Sequence, residues 1–259
     1  METEAATRRA VIIEELAQAR EIKVTSLSER FGVSEVMIRR DLERLERHGL
    51  LKRVRGGAIA LPRAIVGEVN ASDFRDHAGE KERIGAAAAA LVRPGEHIIL
   101  DSGTTVLQLA RHLPGDLLNQ GNLTVVTNSL HIVRELGPWA GVQLLLLGGI
   151  YLSQYDIVVG PKTVASLREL RVDKTFLGAK GLTLARGITT SNVLEAETDR
   201  AAVEAAHEVV LLADSSKFGM ESLVALTGLD KIHKLITDVN APPSMVAALE
   251  ERGIEVIMV

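Results

Sequence analysis

The chain contains no cysteine. Disulfides, thiolate metal ligands and cysteine nucleophiles are thereby excluded together, and a reducing compartment, the cytoplasm, is the expected setting. Aromatic residues are scarce, at 3% of 259 positions, so a core must be built from Leu, Val, Ile and Ala, which suits α/β layering. No run approaches the ~18 uncharged apolar residues of a membrane span, and the opening METEAATRRAVIIEEL has no apolar stretch of signal-peptide length, so no membrane partner is expected. No metal-binding cluster appears, and His131 and His207 fall in helical stretches as surface or core-edge residues; neither metal nor cofactor is expected.

What is present is length and an uneven charge. The chain exceeds the usual single domain and is 46% hydrophobic, so a large unit plus a small one is expected. Its net charge of −4 conceals a contrast: residues 1–60 hold 12 Lys/Arg against 10 Asp/Glu, the remainder 18 against 24. Between positions 39 and 55, Arg39, Arg40, Arg44, Arg47, Lys52, Arg53 and Arg55 outnumber Asp41, Glu43 and Glu46. Such a stripe attracts phosphates if the fold beneath it reads DNA, and is otherwise a solvated helix face.

Thr7 to Ala19 places Ile12, Ile13, Leu16 and Ala17 on one side at helical spacing. Ile22-Lys23-Val24 reads as a short extended piece. Thr25 is suited to cap a second helix, Ser26 to Phe31, and Gly32 to end it in the left-handed conformation. Ser34 caps a third helix, Glu35 to His48, which buries Ile38, Leu42 and Leu45 and projects Arg39, Arg40, Glu43, Arg44 and Arg47 elsewhere. Helix, glycine turn, helix is the helix-turn-helix arrangement. Gly49 ends the third helix, and Leu50 to Ala60 reads as two short strands around Gly56-Gly57, a wing.

The run LSERFGVSEVMIRRDLERLERHGLLKRVRGGA resembles the winged helix of DeoR-family regulators, whose usual pattern is V-S-x-x-T-I-R-R-D-L-x-x-L followed by R-x-x-G-G. The resemblance implies double-stranded operator DNA as a partner. It places Ser34, Glu35, Met37, Arg39, Arg40 and Arg44 at the major groove and Arg53 and Arg55 of the wing on the backbone, with Asp41 orienting an arginine. Met37 stands where the family usually has threonine, so an apolar thioether replaces a hydroxyl able to bond a phosphate.

Residues 61–76, LPRAIVGEVNASDFRD, have no strong period and read as a linker between a DNA-binding domain at 1–60 and a larger domain at 77–259. In the larger part, helical segments (Glu80 to Leu91, Thr104 to Leu113, Leu130 to Leu136, Glu195 to Ala206, Pro243 to Glu251) alternate with HIILD, LTVVTN, VQLLLLGG, KTFLGAKG, EVVLLADSS, KLITD and EVIMV. Short apolar runs separated by helices indicate a mostly parallel sheet covered on both faces. The expected fold class is α/β: a small N-terminal winged helix-turn-helix domain plus a larger α/β domain.

Open α/β sheets bind ligands beyond the carboxyl ends of their strands. Asp101-Ser102-Gly103-Thr104-Thr105 puts a glycine and hydroxyls at a helix start, where free N–H groups favour an anion, and Thr127-Asn128-Ser129 repeats the arrangement. Gly148-Gly149 permits close backbone approach, while Lys180 and Lys217 follow apolar runs and supply cationic charge. A Gly-Thr-Thr turn alone is more often an ordinary cap; the coincidence of these segments at strand ends points to phosphate plus hydroxyls, a sugar phosphate.

The order LDSGTT, VTNS, LLGG, FLGAKG, GITTSN, LLADSSKFG resembles the DeoR-family effector domain, itself similar to ribose-5-phosphate isomerase. This implies that Asp101, Gly103, Thr104, Thr105, Thr127, Asn128, Lys180 and Lys217 surround a phosphorylated sugar. It also implies a homodimeric or homotetrameric repressor of an amino-sugar or sugar-alcohol catabolic operon. In EAETDRA, Asp199 stands where the family commonly has lysine, with Arg200 a candidate substitute. The alternative is a sugar-phosphate isomerase with an accessory DNA-binding domain. Proton transfer between sugar carbons needs a positioned carboxylate, and FLGAKGL replaces the isomerases' acidic D-G-A-D-E segment, so no catalytic residue is expected. A purely architectural DNA binder needs no anion-lined pocket.

Overall fold

The computed structural model describes residues 8, 11–12, 15–16, 21–47, 51–59, 76–119 and 122–259. The chain divides into two compact units, Met1–Val66 and Gly67–Val259. Most of the expected first helix, Gly49 and all of the expected linker except Asp76 lie outside the described residues.

In the first unit β1 (Glu21–Lys23) runs directly into α1 (Val24–Phe31), with Lys23 at the N-cap and no side-chain cap. Thr25 is therefore inside the helix rather than its cap. The helix starts two residues early because Val24 is buried and its N–H donates to Gly56 O of the wing at 2.9 Å, which satisfies a donor that a hydroxyl would otherwise take. Gly32 ends α1 at φ 62°. α2 (Glu35–Arg47) follows Ser34, whose hydroxyl accepts from Met37 N at 3.4 Å, and its Ile38, Leu42 and Leu45 are buried with Ile12, Leu16, Leu27 and Leu51.

The wing is β2 (Lys52–Val54) and β3 (Gly57–Ile59), and β1 joins it as a third strand antiparallel to β3. This pairing leaves no room for a side chain at position 57. A Cβ on Gly57 would sit 2.0 Å from the carbonyl oxygen of Ile22.

The second unit runs α3 (Ala78–Ala89), β4 (His97–Leu100), α4 (Thr104–His112), α5 (Gly115–Asn119), β5 (Leu123–Thr127), α6 (Leu130–Leu136) and β6 (Val142–Leu146). The hairpin β7 (Ile150–Leu152) and β8 (Ile157–Val159) precedes α7 (Pro161–Arg168), β9 (Val172–Leu177), β10 (Gly181–Thr183), β11 (Gly187–Thr190) and α8 (Val193–Ala205). β12 (Ala206–Leu212), β13 (Val224–Thr227), β14 (Lys234–Thr237), α9 (Pro243–Glu250) and β15 (Glu255–Met258) complete it.

Seven strands form a parallel sheet in the order β15-β14-β12-β9-β4-β5-β6, and β10, β11 and β13 form a separate antiparallel one. Alternate residues feed opposite faces. Ile98 and Leu100 pack with Ile84 and Val106 of α3 and α4, whereas Ile99 packs with Leu167 and Ala201 of α7 and α8. Both faces are covered from β14 to β5, which is why those strands read as continuous apolar runs, whereas the edge strand β6 leaves Leu145 and Leu146 exposed. From β4 the chain winds outward through β5 to β6, then returns at β9 to the other side of β4. The sheet's topological switch point therefore lies between β4 and β9.

Candidate functional site

In the first unit, the start of α2 exposes Ser34, Val36, Met37, Arg39 and Arg40. Glu35 is half-buried and accepts from Arg39 Nη2 at 2.7 Å, so Arg39 is engaged along its own helix. Asp41 is buried and accepts from Arg8 Nε at 2.7 Å. Arg53 and Arg55 are exposed on the wing, and the Arg53 N–H donates to Glu46 Oε1 at 2.8 Å, tying wing to helix. The side chains of Arg44 and Arg47 lie outside the described residues.

In the second unit, a cavity of about 560 Å³ lies where β4 and β9 end. Asp101 braces the two strand ends: its Oδ1 accepts from Ser102 N at 2.5 Å and its Oδ2 from Gly178 N at 3.0 Å. Ser102, Gly103, Thr104 and Thr105 continue the wall into α4, whose N-cap is Gly103 and which has no side-chain cap. Two other helix starts in this unit are capped, α6 by Ser129 and α8 by Asn192. The first turn of α4 thus keeps its N–H groups and positive dipole end available to a ligand. Lys81 of α3, Lys180 beyond β9 and Lys217 beyond β12 bring positive charge to the same space.

The cavity also holds acids. Glu195 and Asp199 lie one turn apart on α8 and both line it. Burial, then the charge of Asp101, pushes the Glu195 carboxyl up to about 7, against a 2.8 Å bond from Thr190 Oγ1 and the charge of Lys180. Asp199 is held well above the usual carboxylate range by burial first, then by the charges of Asp101 and Glu195, and it hydrogen-bonds to Asp101. Three carboxyl groups, those of Asp101, Glu195 and Asp199, thus line the cavity.

Asp101, Gly103, Thr104, Thr105, Lys180 and Lys217 are brought together. Thr127, Asn128, Gly148 and Gly149 are not among the lining residues. They end β5 or lie just beyond β5 and β6, on the far side of β4 from the switch point, where β7–β8 and α7 occupy the strand ends. Thr127 Oγ1 donates to Leu100 O at 2.7 Å, and Asn128 O accepts from Val158 N at 2.8 Å. Gly148 O accepts from Thr163 Oγ1 at 2.9 Å, and a Cβ on Gly149 would meet that hydroxyl at 2.4 Å.

Arg200 does not stand in for a lysine. It donates to Ala225 O and Leu226 O at 2.5 and 3.0 Å, along β13. Lys81, Glu195, Thr190, Ser216 and His77 line the cavity although the sequence pattern did not single them out. Two of them left a signal: Lys81 shares a buried helix face with Ile84, Gly85 and Ala88, and Glu195 and Asp199 share one face of an alanine-rich helix.

Among the described residues, no group of three His, Cys, Asp or Glu side chains is arranged to hold a metal ion, and no helix is long and apolar enough to cross a membrane.

The family model described as the DeoR-like helix-turn-helix domain matches residues 8–63, and that described as the DeoR C terminal sensor domain matches residues 76–239. The chain is 35% identical over 255 residues to the HTH-type transcriptional regulator YulB of Bacillus subtilis, covering 98% of this chain and 96% of that one. It is 33% identical over 232 residues to the transcriptional repressor AccR of Agrobacterium fabrum, covering 89% and 88%. A ribose 5-phosphate isomerase A of Methanocaldococcus jannaschii superposes at a TM-score of 0.41 and 19% identity over 55% of each chain, too distant to bear on function. The relatives are regulators and repressors rather than enzymes. With one family model on each unit, the chain belongs to the DeoR family and is a DNA-binding transcriptional regulator.

Proposed function

We propose that this chain represses a sugar catabolic operon, of the amino-sugar or sugar-alcohol kind, and that a phosphorylated sugar bound in the second unit sets its affinity for operator DNA. The observation that carries the ligand class is the uncapped start of α4 facing the same cavity as Lys81, Lys180 and Lys217. An open helix N-terminus with three ammonium groups suits a phosphate, and the neighbouring Ser102, Thr104 and Thr190 hydroxyls suit a polyol.

Residues 1–60 act as the DNA-binding domain, 61–76 as the linker and 77–259 as the effector domain. Ser34, Glu35, Met37, Arg39, Arg40 and Arg44 meet the major groove, and Arg53 and Arg55 the backbone. A winged helix reading two half-sites requires at least a homodimer, working in the cytoplasm. The sugar phosphate shifts the population between an operator-competent and an incompetent state, with a coupling of about 1 to 3 kcal/mol.

Thermal melting of the full chain against sugar phosphates and their unphosphorylated parents tests the ligand class. A raised midpoint with a phosphate ester and none with its parent is expected. No shift with any ester removes the sugar-phosphate reading and leaves the DNA-binding half standing.

A further inference from the structure

The seven-stranded sheet has two outer strands, β15 and β6, and they are built differently. β15 opens with Glu255, whose carboxylate accepts from Lys234 Nζ at 2.6 Å, and charge on an edge strand keeps other strands away. Residues 136–155, which contain β6 and β7, carry no charged side chain. Among the described residues β6 pairs with β5 on one side and with no strand on the other, so its outward backbone groups form an unguarded edge.

The same stretch is apolar where it is exposed. Leu145, Leu146, Ile150 and Tyr151 are 43 to 51% exposed and Trp139 36%. At those fractions the five side chains show on the order of 400 Å² together, about half of the roughly 800 Å² that each partner buries in a stable interface. Leu145 and Leu146 point to opposite faces of the sheet. Leu144, on the face of Leu146, packs with the cluster of α3 and α4, and Leu147, on the face of Leu145, packs with Leu167 of α7. A partner docked on one face covers only one of the two exposed leucines. A strand laid along the edge extends both faces and covers both.

We propose that β6 pairs antiparallel with β6 of a second copy of this chain around a two-fold axis, joining two seven-stranded sheets into one. This rests on the reading above that operator binding takes at least a homodimer. A two-fold pairing sets a stretch against itself, so a charged edge meets its own charge and an uncharged edge does not. That selects β6 over β15 as the seam, and a second copy over a charged partner.

The test is sedimentation equilibrium of the full chain and of Leu145→Glu/Leu146→Glu. Both leucines are half-exposed in the single chain, so the double variant is expected to keep its far-ultraviolet circular dichroism while its self-association weakens at least about tenfold. Because the chain has no cysteine, a second measurement is independent of that variant's folding: Leu145→Cys and, on the other edge, Glu255→Cys are each treated with a short bismaleimide able to span diagonal cross-strand neighbours about 7–8 Å apart. Covalent dimers are expected from Leu145→Cys and not from Glu255→Cys. A parent oligomer that the double substitution leaves intact, with no linking through Leu145→Cys, overturns the β6 seam and leaves the homodimer reading standing. If the double variant does not fold, linking decides alone: its absence at Leu145→Cys overturns the seam. A parent that sediments as a monomer both alone and on operator DNA overturns both.

Discussion

Glu195 titrates at about 7 in the folded chain against an ordinary value of 4.5, because it is buried beside Asp101. Below 4.5 both folded and unfolded chains hold the proton, and the group contributes nothing to the pH dependence. As pH rises from there towards 7 the unfolded chain releases a proton that the folded one retains, so stability falls, and the loss is complete above the folded value. Glu195→Gln removes that dependence. Its melting midpoint is expected to exceed the parent's by several degrees at pH 8, with the gap shrinking as the pH falls towards 4.5. A gap unchanged with pH would assign the effect to packing. Gly57 offers a second residue-scale check, since its missing side chain is what lets β1 lie against β3. Gly57→Ala is expected to abolish operator binding in a gel shift. Gly56→Ala, at φ 89° with nothing within 4 Å, meets no clash and should cost only about 1 to 2 kcal/mol of backbone strain.

Elements are legible where one pattern dominates: the helix carrying Ile38, Leu42 and Leu45 by its spacing, and the strands HIIL and EVVLL by their unbroken apolar runs, stand in the sequence as they do in the fold. β1 was seen only as extended backbone because its partner is 36 residues downstream, at Gly57 to Ile59, and three residues carry no period of their own. The cavity was legible in Asp101 to Thr105, Lys180 and Lys217, which follow apolar runs directly. Thr127, Asn128 and Gly148-Gly149 follow apolar runs equally well, and what separates them from the site is strand order, which no local pattern encodes. On α2, the Glu35–Arg39 pair is exposed and of low intrinsic strength, so phosphate competes readily for the guanidinium. Arg39→Ala and Arg40→Ala are each expected to weaken operator binding roughly tenfold and to flatten its salt slope by about 0.9 for each phosphate no longer neutralised. Glu35→Gln should strengthen binding, since it releases Arg39 and removes a negative charge from the groove face. Unchanged affinity and slope in both arginine variants would remove α2 from the interface.

For the molecule as a whole, sensing requires that one state bind the operator better and the other bind the ester better, and linkage then fixes a relation that no single site can fake. The factor by which saturating ester weakens operator binding must equal the factor by which saturating operator weakens ester binding, about 5- to 150-fold for a coupling of typical size. Fluorescence anisotropy of labelled operator with and without ester gives the first factor, and calorimetric titration of ester with and without operator gives the second. Two variants separate the halves. Lys217→Met removes a cavity charge carried on the loop after β12, and is expected to retain operator affinity while losing the response to ester. Arg40→Ala should lose operator affinity while its melting midpoint still rises with ester. If Lys217→Met instead loses operator binding in the absence of any ester, the cavity is part of what holds the operator-competent state together, and the ester acts by disturbing that state rather than by selecting a second one.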